Sequence, residues 1–392
     1  MLISVIGTGG YKPTTYQFGG KQAESSPYVI KAIKELFSPD KIFVLMTKEA
    51  EEKHKSDLEQ VCEFEMIPIQ TGKNERELWD MFQAVAEKVP ENETLIIDVT
   101  HGFRSQPMLL LAIAVYLQVM KNVKIAHILY GAYDAKDDNG VSPIFDLKPF
   151  LDLISWSFAT DNFLKKGDAT LLSELLSNIH NQAYKSKNDY SPKGLDGIGK
   201  TLAELSEAFA VVRPQEVLDL ASQLPRKIEK AYSDIDNLSE AKPFKSLLDK
   251  ITEKFDKFSF NGSFFSEEGM RAQAKIIKFC LDTEQYQQAA TLSRELIVTK
   301  TCAILKFDMI ENRGEAEKQL NGAAINENPF LQMTEQSKKF VSIWRNLGNI
   351  RNDINHAGMR KNPMSATSLI EQIEKLCGEV VELVSVPTTP NS

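Results

Sequence analysis

The feature that most constrains this 392-residue chain is an alternation confined to its first 150 residues. Short apolar runs at 2–6, 41–46, 65–69, 95–99 and 123–130 are each bounded by turn or polar residues, the pattern of buried strands. Between them, 28–37, 75–89 and 108–120 carry apolar residues at three- and four-residue spacing, as amphipathic helices do. Strands alternating with helices at this length predict an α/β domain with a Rossmann-like parallel sheet covered on both faces. Such sheets take ligands at the carboxyl ends of their strands. Thr8-Gly9-Gly10-Tyr11, Thr47-Lys48, Thr71-Gly72 and Thr100-His101-Gly102-Phe103-Arg104 all fall there.

The alternation stops after about Asp146. Beyond it, 149–164, 169–183, 201–212, 215–232, 242–258, 268–281, 286–307, 335–350 and 365–384 have helical spacing. Stretches 185–200 and 259–266, rich in Gly, Ser, Asn and Lys, predict loops, and 387–392 a short tail. The expected organisation is an α/β domain over 1–150 followed by an all-α domain over 151–392.

Composition excludes several function classes. A net charge of -8 rules out a broadly basic nucleic-acid coat, so any such contact must be a local basic cleft. The four cysteines, Cys62, Cys280, Cys302 and Cys377, are far apart, which argues against a disulfide framework or a zinc site. No apolar run reaches membrane-spanning length, and Met1 leads directly into a strand. The expectation is a soluble cytoplasmic protein with no metal and no cofactor.

Gly7-Thr8-Gly9-Gly10-Tyr11 is not a dinucleotide fingerprint. The third glycine of G-x-G-x-x-G would fall at Lys12, and no acidic residue closes the second strand. Its amides and the Thr8 hydroxyl still suit phosphate or ribose, unless the glycines serve a tight turn only. In Asp98-Val99-Thr100-His101-Gly102-Phe103-Arg104-Ser105, Gly102 frees the backbone after a strand, and Pro107 suits the first turn of the next helix. Helix-terminal amides there would face an edge carrying Thr100, His101 and Arg104, a combination suited to anionic, nucleotide-like ligands. A buried Asp98 with Arg104 as its salt-bridge partner is the structural alternative. His127, in an apolar strand, is expected to be a satisfied core residue, whereas His54 and His180 carry no partner pattern.

Near the other end stands Arg351-Asn352-Asp353-Ile354-Asn355-His356-Ala357-Gly358. Arg binds phosphate with permanent charge and planar geometry, and His exchanges protons near neutral pH. Five residues apart, the two point about 140° away from each other on an ideal helix. Either the helix ends near Asn355, as Gly358 suggests, or the site combines residues of two chains. Lys338, Lys339, Arg345, Arg360 and Lys361 flank the motif and suit successive phosphates, though a solvated helix face explains each singly. Trp344 reads as core, and Glu295 either reaches the motif from a neighbouring helix or is an ordinary surface carboxylate.

Gly7-Thr8-Gly9 with Tyr11, the block 98–105 and Tyr130-Gly131-Ala132 resemble the CARF domains of type III CRISPR ancillary proteins. Arg351-Asn352-x-x-x-His356 is similar to the R-x(4–6)-H motif of HEPN ribonucleases. The resemblance covers essentially the whole chain, although 184–266 carries no motif of either family. It implies an antiviral ribonuclease activated by a cyclic oligoadenylate, most simply the tetramer, bound at a CARF dimer. The ligand residues expected are Thr8, Gly9, Gly10, Tyr11, Thr100, His101, Gly102, Phe103, Arg104 and Ser105 from the loops that carry the resemblance, with Thr47 from its strand-end position. It further implies a HEPN homodimer that cleaves single-stranded RNA without metal through Arg351, Asn352 and His356; of the flanking basic residues, Arg345, Arg360 and Lys361 are expected along the RNA. Two alternatives stand beside it: a nucleotide-sensing interaction module without nuclease activity, and a CARF domain that degrades its own activator.

Overall fold

A computed structural model describes residues 1–103, 105–185, 190–238, 241–242, 244–324 and 335–385. The chain divides into two compact units, Met1–Ser155 and Trp156–Ser392.

The first unit is built on one sheet. Its strands are β1 (Leu2–Ile6), β2 (Thr15–Phe18), β3 (Lys21–Gln22), β4 (Ile42–Met46), β5 (Glu65–Pro68), β6 (Thr94–His101), β7 (Lys124–Gly131) and β8 (Val141–Asp146). They lie in the order β3-β2-β8-β7-β6-β1-β4-β5. The block β7-β6-β1-β4-β5 is parallel throughout. β8 then runs antiparallel to β7, β2 parallel to β8, and β3 antiparallel to β2. The parallel block is the part that the apolar runs predict. The polar, half-exposed strands of the mixed edge have no such signature.

Side chains alternate across the sheet, so each strand of the block feeds two cores. Ile3, Val5, Leu45 and Ile97 pack with Met81 and Val85 of α3 (Glu75–Lys88) and Leu110, Ile113 and Leu117 of α4 (Gln106–Lys121). Leu2, Ile6, Val44 and Met46 face Val29 and Ile33 of α1 (Val29–Phe37) and Ala50 and Leu58 of α2 (Lys48–Val61). Sequence periodicity does not reveal α2 because it is heavily charged and buries only Ala50, His54 and Leu58, one residue per turn.

α5 (Lys148–Lys166) leads into the second unit, which holds α6 (Thr170–Lys185), α7 (Leu195–Ala210), α8 (Pro214–Asn237) and α9 (Phe244–Asp256). There follow α10 (Glu267–Asp282), α11 (Tyr286–Leu305), α12 (Arg313–Ala324), α13 (Glu335–Asn355) and α14 (Ala366–Ser385). These helices share one apolar core, with Phe209 stacked on Phe279 and Phe163 on Phe255. α7 starts inside the stretch expected to be a loop. Its cap is supplied from a distance: the fully buried Asp234 of α8 accepts the amides of Lys193, Gly194 and Leu195 at 2.6–3.0 Å and the Tyr190 hydroxyl at 2.6 Å. A carboxylate there satisfies helix-terminal N–H groups and opposes the helix dipole. α12 escapes notice for another reason, since only Ala316, Leu320 and Ala323 of it enter the core. All four cysteines are buried and free. Among the described residues, no helix is long and apolar enough to cross a membrane.

Candidate functional site

The N-terminal site sits at the carboxyl ends of the parallel strands. A cavity of about 310 Å³ is lined by Gly10, Tyr11, Lys12, Tyr16, Pro27, Thr100, His101, Tyr130, Gly131, Tyr133 and Asp134. Thr100 and His101 are adjacent, and in a regular strand they would face opposite sides of the sheet. Both reach the cavity because the pairing of β1 with β6 is irregular. Ser4 lies opposite Asp98 but Ile6 lies opposite His101, so β6 carries one extra residue there. Such a bulge re-aims the end of a strand.

Beneath the cavity, the fully buried Asp98 fixes β6. It accepts the Ser4 hydroxyl at 2.5 Å, the Thr100 amide at 2.9 Å and the Thr100 hydroxyl at 2.6 Å. Thr100 Oγ1 in turn accepts the Gly131 amide at 2.8 Å, tying β6 to β7. Burial pushes the Asp98 carboxyl up, against those hydrogen bonds. Gly131 is required by crowding: a Cβ there would stand 2.8 Å from both Tyr16 and Val29.

The back wall is a column of rings. Tyr11 lies between His101, at 4.0 Å between centroids, and His54, at 4.9 Å. The Tyr28 hydroxyl meets His54 Nδ1 at 3.0 Å. Gly9 permits this fold-back, since a Cβ there would lie 2.9 Å from the Tyr11 ring. Burial, with His54 as a second contributor, lowers the His101 pKa from 6.5 to about 4. The imidazole is therefore neutral near pH 7 and works through shape and hydrogen bonding. Its Nε2 faces the Val29 amide at 3.4 Å, which favours the tautomer protonated at Nδ1.

Of the ligand residues expected from sequence, the cavity gathers Gly10, Tyr11, Thr100 and His101. Thr8 and Gly9 are exposed on the same loop, where the Thr8 carbonyl accepts Lys53 Nζ at 2.8 Å. Thr47 does not line the cavity: its buried hydroxyl caps α2 by accepting the Ala50 amide at 3.2 Å. Gly102 is a packing glycine, with Val5 2.9 Å from where its Cβ would stand. Phe103 is exposed and shares two hydrogen bonds with Gln106. Ser105 occupies the N-cap position of α4 without a side-chain cap bond, and Arg104 lies outside the described residues. Sequence reasoning passed over Tyr16, Pro27, Tyr133, Asp134 and the supporting His54. Tyr16 and Asp134 belong to segments without periodic signal, and His54 becomes informative only when Tyr11 and Tyr28 are seen against it. His127 pairs with Asp146 at 2.7 Å, the satisfied role expected of it.

In the second unit, α13 ends at Asn355, one residue before His356. Ala357 and Gly358 take positive φ of 49° and 70°, and the Gly358 amide returns to the Asp353 carbonyl at 2.9 Å. The helix thus stops where Gly358 predicts. Arg351, Asn352 and His356 are all exposed. The buried Asp353 carboxylate accepts the Met364 amide at 3.2 Å, holding the segment after the helix. Arg360 is committed to the same turn: it donates to the Asn349 carbonyl at 3.3 Å and lies 3.8 Å from Asp353. This engagement, rather than a free face, is where the structure puts a residue expected along RNA; Lys361 is exposed.

Arg351 and Asn352 also line a cavity of about 550 Å³ with Arg294, Asn321, Gly322, Trp344, Arg345, Gly348 and Asn349. Trp344 is mostly buried, as expected, with its Nε1 donating to Asn321 at 2.8 Å and Arg294 lying over its ring at 4.4 Å. Glu295 accepts Arg294 at 2.8 Å and Arg313 at 2.7 Å, so it serves an ion-pair network. Among the described residues, no His, Cys, Asp and Glu cluster has the makings of a metal site.

Residues 1–134 match the family described as CRISPR system endoribonuclease Csx1, CARF domain. Residues 152–264 match the second domain of CRISPR-associated protein MJ1674, and the stretch 184–266 falls almost wholly within that match. The chain is 24% identical over 302 residues to CRISPR-associated protein MJ1674 of Methanocaldococcus jannaschii, an alignment covering 75% of this chain and 42% of that protein. This chain thus spans less than half the length of the curated relative it matches. Enterococcus italicus Csm6 bound to cyclic hexa-2'-fluoro-hexa-dAMP aligns with a TM-score of 0.43 at 11% identity, covering 99% of this chain and 95% of that one. Together with the strand-end cavity, the matches support a CARF-containing ancillary protein of type III CRISPR systems, similar over residues 1–134 to the Csx1 CARF domain.

Proposed function

We propose that the chain is a cytoplasmic endoribonuclease, active as a homodimer and switched on by a cyclic oligoadenylate held at the strand-end cavity. The reading rests on one observation above all: His356 stands exposed at the C-terminal cap of α13, its amide still bonded to the Asn352 carbonyl at 3.1 Å, on the helix that carries the exposed Arg351 and Asn352. The CARF match and the Tyr-lined cavity beside Thr100 and His101 support a nucleotide activator. The cyclic tetramer is the ring size proposed. Tyr11 and Tyr130 offer adenine rings apolar surface, and Thr100 lies where ribose or phosphate oxygens would pass.

In the proposed reaction on single-stranded RNA, His356 takes the proton of a ribose 2′-hydroxyl and its oxygen attacks the adjacent phosphorus. Arg351 stabilises the negative charge that accumulates on the phosphorane. The bond to the 5′-oxygen breaks, that oxygen takes a proton, and 2′,3′-cyclic phosphate and 5′-hydroxyl ends remain. Asn352 orients the strand or the ring. A second His356 from the partner subunit supplies the proton carrier that one chain lacks, which makes the site composite across a two-fold axis. Base and cation both come from side chains, so the scheme needs no metal.

The test is cleavage of a fluorogenic RNA with cyclic tri-, tetra- and hexa-adenylate. Expected are ligand-dependent cleavage, highest with the tetramer, a loss of at least 100-fold in His356→Ala or Arg351→Ala, and cyclic-phosphate ends. Full activity in His356→Ala, or cleavage indifferent to every ring, overturns the reading.

A further inference from the structure

Two tyrosines of the first unit are buried, and their hydroxyls fare differently. Tyr28, 4% exposed, sets its hydroxyl 3.0 Å from His54 Nδ1. Tyr16, 1% exposed, lines the strand-end cavity, and among the described residues no group hydrogen-bonds its hydroxyl. A buried phenol without a partner is costly, and phenylalanine would fill the same space without that cost. The hydroxyl is not sealed into the core, so the cavity is the space open to it.

The ring is held firmly. Tyr16 stands opposite Ser142 in the pairing of β2 with β8, and Thr14 Oγ1 lies 2.9 Å from Ser142 Oγ. The Tyr16 carbonyl accepts the Ala23 amide at 2.9 Å. A Cβ on Gly131 would stand 2.8 Å from the Tyr16 ring, so the end of β7 wedges it closely.

The surroundings narrow the kind of atom this hydroxyl can serve. Burial first, then the Asp98 carboxylate and the Tyr133 and Tyr130 phenols, push the Tyr16 pKa up to about 12, so the hydroxyl keeps its proton near pH 7. The same buried Asp98 makes this part of the cavity a poor place for the negative charge of a phosphate. Tyr11, Tyr130 and Tyr133 add aromatic rings to the lining, which suit a flat base. A neutral donor among rings fits a neutral acceptor on a heterocycle.

We propose that Tyr16 is a base-reading residue of the activator cavity: its hydroxyl donates to a ring nitrogen of a bound adenine. The proposal rests on the cyclic-oligoadenylate reading for the ligand. It goes beyond that reading in assigning a residue on the mixed edge of the sheet, outside the loops already considered, and the type of atom that it recognises.

Calorimetric titration of the full-length protein and of Tyr16→Phe tests this. The ligands are whichever of cyclic tri-, tetra- and hexa-adenylate binds the parent tightest, and the 1-deaza, 3-deaza and 7-deaza analogues of that ring, each with one ring nitrogen replaced by C–H. Expected is a loss of affinity for the unmodified ring of about 10-fold or more in Tyr16→Phe. One deaza ring should bind the parent more weakly by a similar factor and bind the variant no worse than the parent, since the bond is already absent. Without ligand, the variant should melt at or above the Tm of the parent, because the hydroxyl it loses has no protein partner. Equal affinity of parent and variant for the unmodified ring overturns the assignment. An equal loss in the variant with all three deaza rings overturns it too, as does a lower Tm of the empty variant. A parent that binds none of the cyclic oligoadenylates removes the activator reading and this assignment with it. The expected losses in a protein that cleaves no RNA keep Tyr16 and remove only the nuclease.

Discussion

Acidification should act on the ligand cavity through one imidazole. His101 titrates at about 4 in the folded chain, against an ordinary 6.5, because burial beside Tyr11 penalises its charged form and a charged His54 adds to that penalty. As pH falls, the unfolded chain therefore takes this proton before the folded chain does. His101's contribution to stability is complete above pH 6.5 and is lost as pH drops from 6.5 towards 4. That gap corresponds to about 3 kcal/mol in full, and about 2.5 kcal/mol of it disappears between pH 7 and pH 4.5. Carboxylates titrate in the same range, so the measurement is a difference. Urea unfolding of wild type and His101→Asn at both pH values should show wild type losing about 2.5 kcal/mol more than the variant. The chain has only five histidines, so the His101 imidazole can be followed directly by NMR and assigned by its absence from the variant. A His101 resonance with its midpoint near 6.5, or parallel losses in the two proteins, refutes the reasoning.

Three further outcomes follow from packing and hydrogen bonding. Asp98→Ala strips the acceptor from two hydroxyls and an amide and should cost about 3–5 kcal/mol in urea unfolding, whereas Asp98→Asn, which keeps one oxygen, should cost less than half of that. Asp234→Ala leaves three helix-start amides and the Tyr190 hydroxyl without their acceptor; a loss of about 3–5 kcal/mol is expected, with amide exchange at Gly194 and Leu195 accelerating most. Gly131→Ala forces Tyr16 or Val29 aside and should lower stability by about 1–3 kcal/mol. Calorimetry showing no change in Tm for Gly131→Ala would mean that the β7 end is less crowded than described.

How legible was this molecule in its sequence? The parallel strands were plain because a strand buried on both faces is apolar nearly throughout, as Ile42–Met46 is and as Leu2–Ile6 is apart from Ser4. The mixed edge was not, since Thr15–Phe18 and Val141–Asp146 are half-polar and gain their order only by pairing with each other. The start of α7 depended on Asp234, some 40 residues away along the chain, which no local pattern contains. In the cavity, Tyr11, Thr100 and His101 stood at strand ends and were readable there. His54 was not, because its role comes from the Tyr11 ring packed against it. Thr47 misled for the converse reason: a strand-end threonine and a helix-capping threonine look the same until the Ala50 amide is placed.

The arginine–histidine motif stands at the very end of a helix, where the ladder gives way to a reversal. Arg351 is carried by the ladder of a 21-residue helix and moves only as that helix moves, while His356 precedes two left-handed torsions, one of them at an alanine. His356 still donates its amide to the Asn352 carbonyl at 3.1 Å, so imidazole and guanidinium share one rigid frame, and the reversal at Ala357 and Gly358 turns away only the chain that follows them.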